Sequence, residues 1–197
     1  TQIVVVGNGM VGHHFVEQLH QSDANVEITV LCGESRLAYD RVYLSSFFSG
    51  ASADDLALTT PAQYAQWGVS VVTNALVTDI DRDNKKVTTS EGQVFSYDKL
   101  VLSPGIDLKY DSINGYSAAA QTKMPHAWKS GTQVQLLRNQ VLNMKKGGTF
   151  VMVAPPNPYR CPPGPYERVS MIAHLLKNNN PTANIVVVDP KTKFSKQ

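Results

Sequence analysis

Net charge, long apolar runs and cysteine are all scarce in this chain. The net charge is +2 over 197 residues, too small to argue for nucleic acid or an anionic membrane as a partner. No apolar run approaches the ~20 residues that span a bilayer, which excludes a membrane-spanning helix. No leader-like segment precedes the first core strand, and Thr1-Gln2 reads as a processed or trimmed start. Low-complexity segments are absent too. The 2 cysteines, Cys32 and Cys161, lie far apart in the chain. Two cysteines do not identify the redox compartment. What is present is ordinary: 42% hydrophobic and 17% charged residues, as in a soluble globular protein of one large or two small domains.

The apolar pattern predicts an α/β chain. Ile3 to Val6 is a continuous β-branched run, as expected of a strand covered on both faces. From Met10 to Gln21 the apolar positions Val11, Phe15 and Leu19 form a helical stripe. Glu27 to Leu31 reads as a second strand, ending at Cys32, a buried small hydrophobe. Strand, helix, strand in that order implies a crossover and a parallel sheet. Residues 36–50 read as an irregular loop. Thr60-Pro61 opens a short helix, with Thr60 as cap, and Gly68 ends it. Val69–Thr73, Leu76–Ile80, Lys86–Thr89 and Leu100–Leu102 read as strands, with Asp83-Asn84 as a turn.

Residues 107–125 read as an inter-domain connection. Val134, Leu137, Val141 and Met144 recur at helical spacing, and Gly147-Gly148 stops that helix. Thr149–Ala154, a helix from about Gly164 to Lys177, and Asn184–Val188 repeat the opening pattern weakly. The expected fold is a Rossmann-like FAD/NAD(P)-binding domain with a parallel sheet, residues 1–110. A linker and an incomplete second Rossmann-like unit, residues 111–197, follow it. A two-stranded start cannot bury both its faces, so the chain reads as a fragment or as one completed by another chain.

Two motifs carry chemistry. Gly7, Gly9 and Gly12 form G-x-G-x-x-G between a strand and the helix that opens at Met10. That spacing gives a tight turn, close backbone approach to a pyrophosphate, and close helix–strand packing. The helix N-terminus turns its free N–H groups to the phosphates. Glu34, about 20 residues past Gly12, is placed to hold an adenosine ribose. The cofactor is NAD or FAD, and three features favour FAD. The motif opens the chain. Arg41 offers a contact to phosphate or adenine, although a solvated surface charge is an equal reading of it. Ser103-Pro104-Gly105 closes a returning strand with a small turn that suits close approach to a flavin.

The second motif is R-C-P-P-G-P-Y-E-R, Arg160 to Arg168. A thiol at a helix N-terminus sits in a positive local field that favours thiolate. Arg160 and Arg168 add to it if their side chains turn inward. Glu167 is placed to accept or deliver a proton nearby. A lone cysteine on a proline-rich turn is more commonly structural, but the local charge and the cofactor motif favour sulfur chemistry. The opposite holds for His13-His14. Adjacent helix residues point about 100° apart, so a shared metal is disfavoured and both read as helix-surface residues. No metal ligand set is assigned.

At these residues the chain resembles the two-dinucleotide-binding-domain flavoproteins of the disulfide-reductase-like superfamily, and its halves resemble different members. V-V-G-N-G-M-V-G-H (Val5–His13), A-Y-D-R-V-Y-L-S-S-F-F-S (Ala38–Ser49) and Y-D-K-L-V-L (Tyr97–Leu102) are similar to the large subunit of NAD(P)H-dependent nitrite reductase. S-P-G-I-D (Ser103–Asp107), K-M-P-H-A-W-K (Lys123–Lys129), the cysteine motif and D-P-K-T-K-F-S-K-Q (Asp189–Gln197) are similar to the flavoprotein subunit of flavocytochrome c sulfide dehydrogenase. A chimera or a fragment is therefore expected. The second resemblance implies that Cys161 belongs to a redox disulfide beside FAD. It implies that Glu167 is the acidic residue near it, and that sulfide is the reductant. Electrons then leave for a haem-bearing cytochrome c subunit.

The resemblance has gaps. The partner cysteine lies beyond Gln197 in that family. Nitrite reductase needs sirohaem and iron–sulfur cysteines that are missing here, and its acidic position is Gly33. The N-terminal resemblance implies the cytoplasm and the C-terminal one the periplasm. Two further functions stay open: an NAD(P)H-dependent reductase module of the nitrite reductase type, and a nucleotide-binding scaffold without turnover. The 197-residue chain alone is expected to bind FAD weakly and to be inactive.

Overall fold

The computed structural model describes residues 1–22 and 24–193. Asp23 and the last four residues of the Asp189–Gln197 resemblance lie outside them. By contacts the chain divides into two compact units: Thr1–Asp40 with Leu56–Asp107, and Arg41–Asp55 with Leu108–Gln197.

The first unit is built on a parallel sheet in the order β3-β2-β1-β7. Its strands are Gln2–Val6 (β1), Glu27–Leu31 (β2), Val69–Val72 (β3) and Lys99–Leu102 (β7). Val5 sits beside both Val30 and Val101, which fixes the central register. The β-branched strands bury both faces. Ile3, Val5, Ile28 and Val30 pack on one side with Val16 of helix α1 (Met10–Gln21) and Tyr64 of helix α2 (Pro61–Gln66). Val4 and Leu31 face the other way, onto Val87. That residue belongs to an antiparallel meander of Val77–Asp81 (β4), Lys86–Thr89 (β5) and Val94–Ser96 (β6). Thr60 caps α2 by accepting from the Gln63 amide at 3.2 Å, and Pro61 fills the first helical position.

Two expectations need correction here. β6 was not expected; its three residues are too few to show a period. His13 is not a surface residue. It is buried, whereas His14 is exposed. The ring of His13 stacks on Trp67 with centroids 5.9 Å apart, an aromatic contact that outweighs its polarity.

The second unit holds helix α3 (Thr132–Leu142), strand β8 (Thr149–Val153), helix α4 (Gly164–Asn179) and strand β9 (Asn184–Val188). β8 and β9 pair in parallel, Val151 beside Val186. Val151, Val153, Val186 and Val188 on one face are all exposed. Residues 42–49 are not an irregular loop: they wind into a 3-10 helix, Val42–Ser49. Leu44 and Phe48, four apart on one side of it, are both buried. Arg168 of α4 donates from Nε to Ser45 Oγ on this helix at 2.9 Å.

Candidate functional site

In the first unit the glycine turn follows β1 without a break. The Gly7 amide donates to Leu31 O at 2.9 Å, so the turn leaves from between the central strands. Gly7 has φ +101°, and a Cβ there would stand 2.1 Å from Ser103 O. A Cβ on Gly12 would stand 2.1 Å from Gly7 O and 2.7 Å from Ser103 Oγ. Both positions therefore exclude any side chain. Gly9 is different, because a Cβ there would meet nothing within 4 Å. Gly9 caps α1 without a side-chain partner for the first-turn N–H groups, and the His13 amide closes the first helical bond on Gly9 O at 2.9 Å. Met10 is the first helical residue.

Ser103 completes this arrangement from the end of β7. Its amide donates to Val6 O at 2.8 Å, and its hydroxyl lies 3.2 Å from Val6 O and 3.0 Å from Gly7 O. Pro104 follows within the same contact, its nitrogen 3.3 Å from the Gly7 Cβ position. Gly105, at φ +75°, has no such neighbour. The structure thus brings Gly7, Gly9, Met10, Gly12, Ser103 and Pro104 together. Glu34, half-buried, stands three residues past β2, where its carbonyl accepts from the Asn74 amide at 3.0 Å.

Behind the turn lies a network that sequence reasoning missed. Tyr64 donates its hydroxyl proton to Asn8 Oδ1 at 2.7 Å, and His13 Nδ1 lies 3.0 Å from the same hydroxyl oxygen. With that proton committed to Asn8, the imidazole must carry its hydrogen on Nδ1. Burial holds His13 below its ordinary value and pushes Tyr64 up to about 12. Asn8 Nδ2 is a buried donor with no acceptor among the described residues. The spare donor, the open space at Gly9 and the uncapped helix N-terminus form a cradle that fits a dinucleotide pyrophosphate.

The second unit carries the sulfur. Cys161 is exposed and free, with φ +58°. A non-glycine residue in this region costs about 1–3 kcal/mol, and such positions cluster at functional sites. The Cys161 carbonyl accepts from the Gly164 amide at 2.9 Å as α4 begins. A Cβ on Gly164 would lie 3.4 Å from Cys161 Sγ and 3.7 Å from Trp128 Cη2. Glu167 is exposed on the first turn of α4. The other cysteine, Cys32, is buried in the first unit and donates to Arg36 O at 3.2 Å. Arg41 belongs to the second unit, where it precedes the 3-10 helix.

The two arginines of the motif separate. Arg160 stays exposed, while Arg168 is 1% exposed. The Arg168 guanidinium lies 4.7 Å from the Phe48 ring centroid and 4.3 Å from that of Trp128. Desolvation lowers it to about 10. Its terminal nitrogens have no hydrogen-bond partner among the described residues. A further cluster closes the turn. Lys191 Nζ lies 2.8 Å from Asp189 Oδ1 and donates to Tyr159 Oη at 3.0 Å. Tyr159 donates to Pro162 O at 3.1 Å, and Tyr166 donates to Asp189 Oδ2. No spacing rule finds these groups, because Ser45, Trp128 and Arg168 are remote in the chain.

A parallel sheet whose first strand enters a helix through a three-glycine turn defines a dinucleotide-binding domain of Rossmann type. The chain belongs to the pyridine nucleotide-disulphide oxidoreductase family, whose model matches residues 1–146. This is a family of FAD- and NAD(P)-dependent oxidoreductases. Residues 134–197 match the central region of the flavoprotein chain of sulfide dehydrogenase [flavocytochrome c].

Among curated relatives, the nitrite reductase (NADH) large subunit of Escherichia coli K12 is 43% identical over 106 residues. That stretch is 53% of this chain and 12% of the relative. The assimilatory nitrate reductase electron transfer subunit of Bacillus subtilis is 30% identical over 76% of this chain and 19% of its own. Of solved structures, the covalent putidaredoxin reductase–putidaredoxin complex superposes with a TM-score of 0.77 at 22% identity, over 99% of this chain and 43% of that one. A NAD-dependent persulfide reductase from A. fulgidus gives 0.79 at 18%, over 98% of this chain and 34% of that one. At such identities the likeness is one of fold. The chain spans less than half the length of each of these relatives.

Proposed function

We propose that the chain is the FAD-binding and sulfur-handling part of an enzyme that oxidises sulfide and passes the electrons to a cytochrome c. The observation that carries this reading is the Cys161 turn: an exposed thiol, held at positive φ, at the N-terminus of α4. The match of residues 134–197 to the sulfide dehydrogenase flavoprotein chain supports it.

In this chemistry a sulfide sulfur bonds to one sulfur of an oxidised cysteine pair, the S–S bond breaks, and the other cysteine leaves as thiolate. Cys161 is one member of that pair; the other lies outside this sequence. Glu167 takes or gives the proton at the reacting sulfur. FAD, when bound, supplies a two-electron acceptor able to hand electrons on one at a time. Gly7, Gly9, Met10 and Gly12 take its pyrophosphate through backbone N–H groups. Glu34 takes the ribose. Ser103, Pro104 and Gly105 form the small turn that lets the flavin approach. The C-terminal resemblance favours a periplasmic setting.

The test is spectroscopic. In the FAD-loaded enzyme that contains these residues, sulfide bleaches the flavin absorbance, and Cys161→Ser abolishes the bleaching. Bleaching by NADH but not by sulfide overturns the reading. It would favour an NAD(P)H-dependent, nitrite-reductase-type module instead, which the 43% identity to the nitrite reductase (NADH) large subunit supports.

A further inference from the structure

We propose that Arg168 is the anion-recognising residue of the Cys161 turn, a buried and uncompensated guanidinium that makes this thiol selective for anionic reactants. The proposal deepens the sulfide reading, on which it rests for the reaction alone. It gives the charge class of the reactant, a soft monoanion such as hydrosulfide.

Arg168 has no compensating charge among the described residues. It is 1% exposed, and among the described residues no carboxylate pairs with it. Nε is satisfied by a neutral hydroxyl, Ser45 Oγ. Both terminal nitrogens are buried, with no acceptor among the described residues. A buried guanidinium in this state is costly, and each unmet donor calls for a reason. The rings of Phe48 and Trp128 recover part of the cost by cation–π contact. Rings do not neutralise the charge, so its field persists.

Geometry directs that field to the cysteine. Side chains of a helix lean toward its N-terminus, and Arg168 lies one turn beyond Gly164 on α4. Trp128 connects the two positions. Its ring lies 4.3 Å from the guanidinium carbon, and its edge lies 3.7 Å from the Gly164 Cβ position, which is itself 3.4 Å from Cys161 Sγ. The N-terminal dipole of α4 adds to the field with the same sign. Arginine suits the position because its planar guanidinium stacks on both rings, whereas a lysine would keep the positive charge and lose the stacking.

The probes are iodoacetate and iodoacetamide, whose reactions form the same S–CH2 bond at Cys161 and expel iodide. The neutral reagent reports access and thiolate content. The rate ratio of the anionic to the neutral reagent reports the local field. Peptide mass spectrometry keeps Cys161 distinct from buried Cys32. Work at about 0.5 M salt screens exposed Arg160 and spares buried Arg168.

Under these conditions Arg168→Met lowers the ratio by about threefold or more. Arg168→Lys keeps most of it, and Arg160→Gln leaves it unchanged. An unaltered ratio in folded Arg168→Met overturns the proposal, as does a drop in Arg160→Gln of equal size. Should Arg168→Met not fold, the wild-type chain is compared with the free peptide of residues 156–164, which carries Arg160 but not Arg168. A folded-chain ratio about threefold above the peptide's supports the proposal, and equal ratios overturn it. Neither arm needs FAD or sulfide. Failure here leaves the sulfide reading standing, and failure of flavin bleaching leaves this one standing.

Discussion

The chain contains two strand–helix–strand units, β1-α1-β2 and β8-α4-β9, whose connecting turns have little in common. In the first, three glycines let backbone pack on backbone, and the space above Gly9 is empty of side chains. In the second, prolines, a cysteine at positive φ and a single glycine occupy the same place. The strands differ as well. β1 is buried on both faces, while β8 and β9 each alternate exposed and half-buried residues. The acidic residues past the second strands also differ. Glu34 lies half-buried three residues past β2; Asp189 follows β9 directly, and its contacts with Lys191 first and Tyr166 second hold it down at about 2. One supersecondary plan thus yields a bare glycine turn in one unit and an exposed thiol in the other, which on the proposed reading cradle phosphate and present sulfur. A tight turn of N–H groups demands glycine, whereas a presented thiol demands a stiff, side-chain-bearing loop.

The largest expected effect breaks the first turn. Gly12→Ala places a Cβ 2.1 Å from Gly7 O, a backbone atom of the turn. Helix and turn must then separate, at a cost of about 3 kcal/mol or more. The urea midpoint of the first unit's unfolding measures it. A midpoint within error of wild type would show that the glycine spacing serves the ligand alone. Gly9→Ala, by contrast, leaves the midpoint near wild type, because its Cβ meets nothing.

A smaller effect concerns the support behind the same turn. Tyr64→Phe removes the hydroxyl that bridges Asn8 and His13, leaving two buried polar groups unmet. The expected loss is about 2 kcal/mol. His13 adds a pH dependence of known sign. Burial holds its folded value below the ordinary 6.5, so the unfolded chain binds more protons as pH falls below that value. Stability therefore decreases from pH 6.5 downward and levels off once the folded ring also protonates. Urea midpoints between about pH 7.5 and 5 show this slope in wild type and a shallower one in His13→Gln. Equal slopes would remove His13 from the account.

Most of the fold was legible because its signals are local. The β-branched runs of β1 and β2, the Thr60-Pro61 cap and the glycine spacing each act within a few residues of one another. What escaped depends on contacts that the sequence order conceals. His13 looks like a surface helix residue until Tyr64 and Trp67 close over it. The segment Val42–Ser49 looks irregular until α4 supplies the surface that Leu44 and Phe48 accompany into the core. Arg168 was legible only as charge. That it turns inward while Arg160 does not follows from two aromatic rings far away in the chain. The sequence placed a thiol just before the start of α4, where the structure has it exposed; its positive φ was not readable, since nothing in R-C-P-P-G requires a left-handed cysteine.

The smallest expected effect tests whether the second turn shares the first one's rules. Gly164 occupies the start of α4, as Gly9 and Gly12 do around the start of α1. Its Cβ position has no neighbour nearer than Cys161 Sγ at 3.4 Å, a side-chain atom in ordinary contact. Alanine also favours a helix over glycine by up to about 1 kcal/mol. Gly164→Ala is therefore expected to leave the unfolding midpoint unchanged or slightly raised, against a large drop in Gly12→Ala. Its readout is local instead: an added methyl between Sγ and the Trp128 edge slows alkylation of Cys161 by iodoacetamide. A destabilisation as large as that of Gly12→Ala would mean that both turns depend on backbone contact. The division between a phosphate cradle and a sulfur display would then lose its physical basis.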